Sequence, residues 1–128
     1  MKITVYVITL NEAEKIRDCL NSVLWADEII VADSNSKDGT IEIAEELGAK
    51  VVQIPFKGFG DLRNQAIKHC NGNWILSIDA DERCTHEVRD EILSLIENAP
   101  LDLYHIPVSY THLRALETDS YLVCRLLL

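Results

Sequence analysis

Strand-like and helix-like segments alternate from residue 1 to about residue 100, and this alternation constrains the fold more than any other feature. Lys2–Thr9 is rich in β-branched residues, as is typical of a buried strand. Glu28–Asp33, Val51–Ile54 and Trp74–Ile78 are the next predicted strands, and apolar residues at helical spacing lie between them. Strand–helix repetition forces parallel pairing through right-handed crossovers. We therefore predict an α/β fold, a mostly parallel sheet with helices on both faces.

Polar residues near the predicted helix ends have ordinary structural explanations. Asn11 is predicted to cap the first helix and Thr85 the last, because short polar side chains accept the first helical amides. Asp38 or Thr40 is predicted to cap the second helix. Gly48 is well placed to end that helix. These structural roles compete with functional roles for the same side chains.

Three polar clusters follow predicted strands, at Thr9–Glu12, Asp33–Ser36 and Asp79–Asp81. In open α/β sheets, ligands bind beyond the carboxyl ends of the strands. Because parallel strands end at one edge, the three clusters are expected to meet there. The pattern predicts a ligand site at this edge.

Asp79-Ala80-Asp81 is the strongest candidate within that site. Two carboxylates that are two residues apart in an extended segment project the same way. Such a pair suits a hard divalent cation, Mg²⁺ or Mn²⁺, which also takes phosphate oxygens. Strand ends also carry Asp simply for turns and helix caps. The position after an apolar strand, with Glu82 following, favours a functional role.

The other polar clusters leave two interpretations open. Asp33 closes an apolar strand and could accept a base N–H or a ribose hydroxyl, whereas Thr9 and Glu12 could line a base pocket. Arg63 follows the flexible segment Gly58-Phe59-Gly60 and could hold a diphosphate, although a surface arginine on a helix is the simpler explanation.

Composition excludes several classes of protein. A length of 128 residues fits one domain. A net charge of −9 argues against a broad nucleic-acid-binding face, because phosphates would be repelled. No apolar run reaches the ~18 residues that a membrane span requires. The four cysteines contain no C-x-x-C pair, which argues against zinc and for reduced thiols. We expect a cytoplasmic protein with no transmembrane segment.

Taken together, ITLNEAEKI, IIVADSNSKDGT, GFGDLRNQAI and WILSIDADE resemble the family 2 glycosyltransferases of the GT-A fold, in particular the bacterial lipopolysaccharide core glucosyltransferases. The resemblance covers roughly Lys2 to Pro107 and implies a Rossmann-like nucleotide-sugar-binding half, an incomplete GT-A domain. It also implies roles for individual residues: Thr9, Asn11, Glu12 and Asp33 at the nucleotide base, Arg63 on the donor, Asp79 near the ribose and the metal, and Asp81 on the metal.

The activity implied by the resemblance is inverting transfer of a sugar from a nucleotide-sugar, expected to be a UDP-sugar, to an acceptor hydroxyl, with Mg²⁺ or Mn²⁺. The acceptor would be a glycan or a lipid-linked glycan in lipopolysaccharide or other cell-envelope synthesis, which is compatible with a place at the inner face of the membrane. Family members are longer, and their second half supplies the general base, so no catalytic base is matched here.

Residues 1–108 are therefore interpreted as the N-terminal part of a donor-binding domain, and residues 109–128 as a non-native tail. The tail lacks the strand–helix pattern and resembles a peptide translated from sequencing-adapter DNA.

Two other functions remain open on the sequence. One is a donor-binding fragment without turnover. The other is a phosphatase of the haloacid-dehalogenase type, which also places D-x-D after an apolar strand. That chemistry usually has Thr or Val where this chain has Arg83, and it opens the domain, whereas Asp79 lies past the middle.

Overall fold

The computed structural model describes residues 3–98, 103–107 and 121–126. Strands and helices alternate as predicted, which confirms the α/β class. The elements, in chain order, are β1 (Ile3–Thr9), α1 (Ala13–Asn21), β2 (Glu28–Asp33), α2 (Thr40–Glu46), β3 (Lys50–Gln53), α3 (Phe59–Lys68), β4 (Trp74–Asp79), α4 (His86–Asn98), β5 (Leu103–Pro107) and β6 (Tyr121–Leu126).

The strands form one sheet in the order β3-β2-β1-β4-β6-β5. β1 pairs in parallel with β2 and β4, and β2 pairs in parallel with β3. β6 runs antiparallel to both β4 and β5. The predicted mostly parallel sheet is confirmed, and the carboxyl ends of its first four strands lie at one edge.

Helices cover both faces of the sheet, as predicted. On one face, Val5 and Val7 of β1 pack in a core with buried residues of α1, α2 and α4, among them Ile16 and Ile92. On the other face, α3 buries Leu62 against the alternate residues of the strands. The alternation follows from the pleat, which sends successive side chains to opposite faces.

The predicted cap of α1 is wrong. The helix begins at Ala13, Glu12 occupies the cap position without a side-chain cap bond, and Asn11 has a left-handed φ of 54°. The amide of Glu12 donates to Thr40 Oγ1 at 3.0 Å, and the amide of Ala13 donates to Asp38 Oδ2 at 3.1 Å. The loop before α2 therefore caps α1 from a distance in sequence, which local residue preference cannot show.

The remaining helix ends are close to prediction. Thr85 caps α4 by accepting an amide of its first turn at 3.2 Å. Gly48 follows the end of α2 with a left-handed φ of 89°, a conformation that glycine adopts without strain. At the start of α2, Gly39 holds the cap position that was predicted for Asp38 or Thr40, although Asp38 Oδ1 still accepts the Thr40 amide at 3.2 Å.

The C-terminal region adds two strands. β5 spans Leu103–Pro107, at the end of the part of the chain that carries the family resemblance. β6 lies inside the segment that the sequence marks as a non-native tail, and that origin stays a prediction. Within the described part of the chain, no helix has both the length and the apolar character to cross a membrane.

Candidate functional site

The three polar clusters meet at the carboxyl edge of the parallel strands. In the sheet register, Thr9 lies opposite Asp33 on β2, and its neighbour Ile8 lies opposite Asp79 on β4. Thr9 Oγ1 also donates a hydrogen bond to Asp33 Oδ1 at 2.6 Å. The ends of β2 and β4 therefore flank the end of β1, as the sequence predicts. We call this region the strand-end edge.

Asp33 is fully buried at the strand-end edge, and protein donors surround its carboxylate. Oδ1 accepts the hydroxyls of Thr9 and Ser36. Oδ2 accepts the amide N–H of Ser36 and Nε2 of Gln53, both at 2.8 Å. A carboxylate offers about four acceptor positions, so a base N–H would have to displace one of these donors.

The same contacts keep Asp33 ionised. Burial by itself raises the pKa of the carboxyl group, but the hydrogen bonds from Ser36, Thr9 and Gln53 outweigh it and bring the pKa below its ordinary value. The buried charge is therefore satisfied by the loops around it.

Asn11 joins the first loop of the strand-end edge to the second. Its amide donates to Ser36 Oγ at 2.8 Å, and its Oδ1 accepts the amide of Lys37 at 2.9 Å. The left-handed backbone at Asn11 turns the chain so that both contacts form, and asparagine tolerates this conformation better than most residues. Asn11 thus connects β1 to the β2–α2 loop.

Asp79, Asp81 and Glu82 form an acidic group at the end of β4, with carboxylate oxygens within 4.8 Å of one another. Glu82 is buried, and its Oε1 accepts the amide of Asp79 at 2.9 Å. The amide of Glu82 donates back to the Asp79 carbonyl, also at 2.9 Å. These two bonds close a turn that holds the three carboxylates together.

Arg63 reaches the acidic group from α3. Its Nη2 lies 3.9 Å from Asp79 Oδ1, and its Nη1 donates to Ser77 Oγ at 3.3 Å. Both partners of the ion pair are less than half exposed, at 43% and 48%. The pair is long, so the guanidinium and the carboxylate can both turn towards a ligand.

Glu12 lies close enough to Asp79 and Asp81 for their charges to affect the pKa of its carboxyl group. Burial is the largest cause that raises the pKa of its carboxyl group, and Asp81 and Asp79 add to the rise by like-charge repulsion. Lys15 partly opposes the rise. Negative charge is therefore concentrated at the strand-end edge.

This donor set fits a divalent cation. Three carboxylates that converge within one ion's reach are the hard oxygen ligands that Mg²⁺ and Mn²⁺ prefer. The nearby guanidinium of Arg63 can balance a phosphate that shares the ion.

Sequence reasoning noted Glu82 beside Asp81 without giving it a role, and the structure places it in the acidic group. Two other residues of this edge were missed as contributors. Gln53 ends β3 as Asp33 ends β2, so its polar side chain at a strand end was a usable signal. Ser36 gave no signal beyond that of a turn former.

A cavity of about 410 Å³ between α1 and the start of α4, lined by Asp18 and Arg83 among others, lies outside this edge.

Comparisons with known proteins point to one family. The family model "Glycosyl transferase family 2" matches residues 4–113. An uncharacterized glycosyltransferase of Rickettsia bellii is 46% identical over 104 residues, which cover 80% of this chain and 35% of the relative. The lipopolysaccharide core biosynthesis glycosyltransferase LpsC of Rhizobium meliloti is 27% identical over 101 residues, covering 75% of this chain and 37% of LpsC. The chain thus spans about a third of the length of these relatives.

Solved structures agree with the family match. Residues 1–349 of S. aureus TarS in complex with UDP-GlcNAc superpose with a TM-score of 0.74 at 31% identity, covering 84% of this chain and 34% of that chain. Glucosyl-3-phosphoglycerate synthase from Mycobacterium tuberculosis, in complex with Mn²⁺, UDP and glucosyl-3-phosphoglycerate, gives a TM-score of 0.66 at 26% identity, covering 80% and 42%.

Proposed function

The chain belongs to glycosyltransferase family 2 and has a GT-A-like α/β fold, and from that membership we propose that residues 1–108 bind a UDP-sugar donor in an enzyme that transfers the sugar to an acceptor hydroxyl. The observation that carries the proposal is the acidic group of Asp79, Asp81 and Glu82 beside Arg63, at the same edge as Thr9 and Asp33. A nucleoside diphosphate needs cation-binding and phosphate-binding groups side by side.

Each predicted residue has a place in this proposal. Thr9, Asn11 and Glu12 line the base end, because they form the loop that leaves β1. Asp33 is proposed at the base beside them, with its carboxylate held by the Thr9 hydroxyl. Arg63 faces the diphosphate, since it is the guanidinium beside the acidic group. Asp79 lies near the ribose and the metal, and Asp81 binds the metal.

Mg²⁺ or Mn²⁺ is the proposed cofactor, held by Asp81 and Asp79 with Glu82 beside them. When bound, such an ion neutralises the charge that builds on a departing diphosphate. The protein's part is to hold the carboxylates together through the closed turn at Glu82 and to keep Arg63 within reach of the same phosphates.

The finer features of the reaction follow the family resemblance. We place the general base outside residues 1–108, in the part of the relatives that this chain does not span. That base would deprotonate an acceptor hydroxyl, which attacks the anomeric carbon and inverts it. The similarity to LpsC supports a lipopolysaccharide or other cell-envelope glycan as acceptor. A place in the cytoplasm, at the inner face of the membrane, stays a prediction from the family resemblance.

The proposal is tested by calorimetric titration of the chain with UDP, with and without Mn²⁺. We expect Mn²⁺ to tighten UDP binding, and Asp81→Asn to remove this tightening. Asp90→Asn is the matched control, because Asp90 is an exposed carboxylate of α4, away from the strand-end edge. Equal UDP affinity with and without the metal in the unmodified chain would contradict the proposal.

A second candidate function for these residues is donor binding without turnover, since the general base is not among the residues that the sequence matches to the family. Assays with UDP-sugars and glycan acceptors distinguish donor binding from sugar transfer, because only an active transferase releases UDP from the donor faster than spontaneous hydrolysis does. Family membership decides against the phosphatase hypothesis.

A further inference from the structure

Gln53 ties the strand-end edge together from the third strand. Its Nε2 donates to Asp33 Oδ2 at 2.8 Å, and its Oε1 accepts the amide of Asn35 at 2.9 Å. Asp33 and Gln53 lie opposite each other in the register of β2 and β3. One side-chain amide therefore holds both the buried carboxylate and the turn that follows it.

The turn needs such support. Asn35 has a left-handed φ of 60°, which few non-glycine residues adopt. The turn carries Ser36, whose hydroxyl donates to Asp33 and accepts the amide of Asn11. A change at Gln53 is therefore transmitted to the loop that leaves β1.

The carboxylate in the middle of this network has little capacity left for a ligand. Its four hydrogen bonds come from Thr9, Ser36 and Gln53. Asp33 is also fully buried, whereas Gln53 is exposed. The network is thus built to fix its neighbours in place rather than to leave an acceptor open to solvent.

We propose that Gln53 is a positioning residue for donor binding, which acts through Asp33 and Asn35 to fix the loops that receive the nucleoside of a nucleoside diphosphate. This inference rests on the proposed function.

The test compares Gln53→Met, which keeps the side-chain length but loses both hydrogen bonds, with Gln53→Glu. The glutamate keeps an acceptor for the Asn35 amide but brings a second negative charge to Asp33. We expect about tenfold weaker UDP binding for Gln53→Met, from the loss of a hydrogen bond to a charged group, and a larger loss for Gln53→Glu. Gln65→Met on α3 is the matched control and should bind UDP as the unmodified chain does.

Uridine affinity and the effect of Mn²⁺ on UDP binding distinguish a positioning role of Gln53 from a general loss of structure. If Gln53 positions the nucleoside loops, uridine affinity falls by the same factor as UDP affinity, while the tightening of UDP binding by Mn²⁺ stays unchanged. The midpoint of thermal unfolding stays above the temperature of the titration, so that the folded variant is what is measured. Gln53→Met, which adds no charge, keeps the test open if Gln53→Glu does not fold.

Three outcomes would overturn the inference, and they are distinguishable. UDP binding by both Gln53 variants at the affinity of the unmodified chain, or a loss confined to the Mn²⁺ effect, overturns this inference alone. An unmodified chain that does not bind UDP at all overturns the proposed function, and the role of Gln53 with it.

Discussion

Replacing Asp33 tests whether the buried carboxylate holds the strand-end edge together. Asp33→Ala removes both oxygens and leaves the buried Thr9 hydroxyl and the half-buried Ser36 amide without their acceptor. Gln53 can turn towards solvent because it is exposed. Asp33→Asn is milder, since the hydroxyls of Thr9 and Ser36 can rotate and accept from the new amide.

The expected magnitude follows from these contacts. An unsatisfied buried donor costs about 1–3 kcal/mol, so the buried Thr9 hydroxyl, the half-buried Ser36 amide and the small cavity left by the missing carboxylate should together lower the free energy of unfolding by about 2–4 kcal/mol in Asp33→Ala. In Asp33→Asn the hydrogen bonds are kept but lose their charge, which should cost about 1–2 kcal/mol.

Urea unfolding at pH 7, followed by circular dichroism, measures both values. Asp90→Ala is the control, because its ion pair with Arg89 is on the surface and should contribute less than about 0.5 kcal/mol. An Asp33→Ala variant within about 1 kcal/mol of this control would refute the reasoning that the carboxylate is an essential acceptor.

The pH dependence gives a second check. Because the pKa of Asp33 is lowered in the folded chain, its contribution is fully present above the unfolded pKa of about 3.9 and is lost as the pH falls through the lower folded value. The stability gap between the unmodified chain and Asp33→Asn should therefore narrow below about pH 3.9. A stability difference that stays constant over this range would show that ionisation of Asp33 does not stabilise the folded chain.

Three further changes test other contacts. Gly72→Ala should destabilise the chain by about 1–3 kcal/mol in urea unfolding, because an added Cβ would lie 2.7 Å from the Thr4 amide nitrogen; unchanged stability would show that β1 can yield. Thr40→Val should cost about 1–2 kcal/mol by the same assay, because it leaves the Glu12 amide without its acceptor; a neutral result would mean that water replaces the hydroxyl. Arg63→Met should weaken UDP binding about tenfold in calorimetry yet leave uridine affinity unchanged; equal losses for both ligands would place Arg63 at the base instead.

The sequence allowed the sheet to be predicted well, because the pleat and the strand–helix alternation are local signals. β2 has the predicted bounds of Glu28–Asp33, and β3 is displaced by one residue from the predicted Val51–Ile54. The meeting of Thr9, Asp33 and Asp79 also followed from topology, since parallel strands bring their carboxyl ends together.

Contacts between loops could not be predicted in the same way. Asn11 looked like a helix cap because residue preferences describe only the nearest turn, whereas its side chain accepts the Lys37 amide. The donors to the Asp33 carboxylate were hidden for the same reason: Gln53, one of these donors, lies 20 residues further along the chain. Such partners depend on register between strands, which one sequence does not specify at the level of single hydrogen bonds.

The capping of α1 by Asp38 and Thr40 has a consequence for synthesis of the chain. The amides that begin α1 are satisfied by Asp38 and Thr40, 25 and 28 residues further along. During translation, α1 therefore emerges from the ribosome before the two residues that cap it have been synthesised. A nascent chain that stops short of Thr40 should carry a frayed first helix, and the strand-end edge can become rigid only after β2 and the start of α2 have been translated.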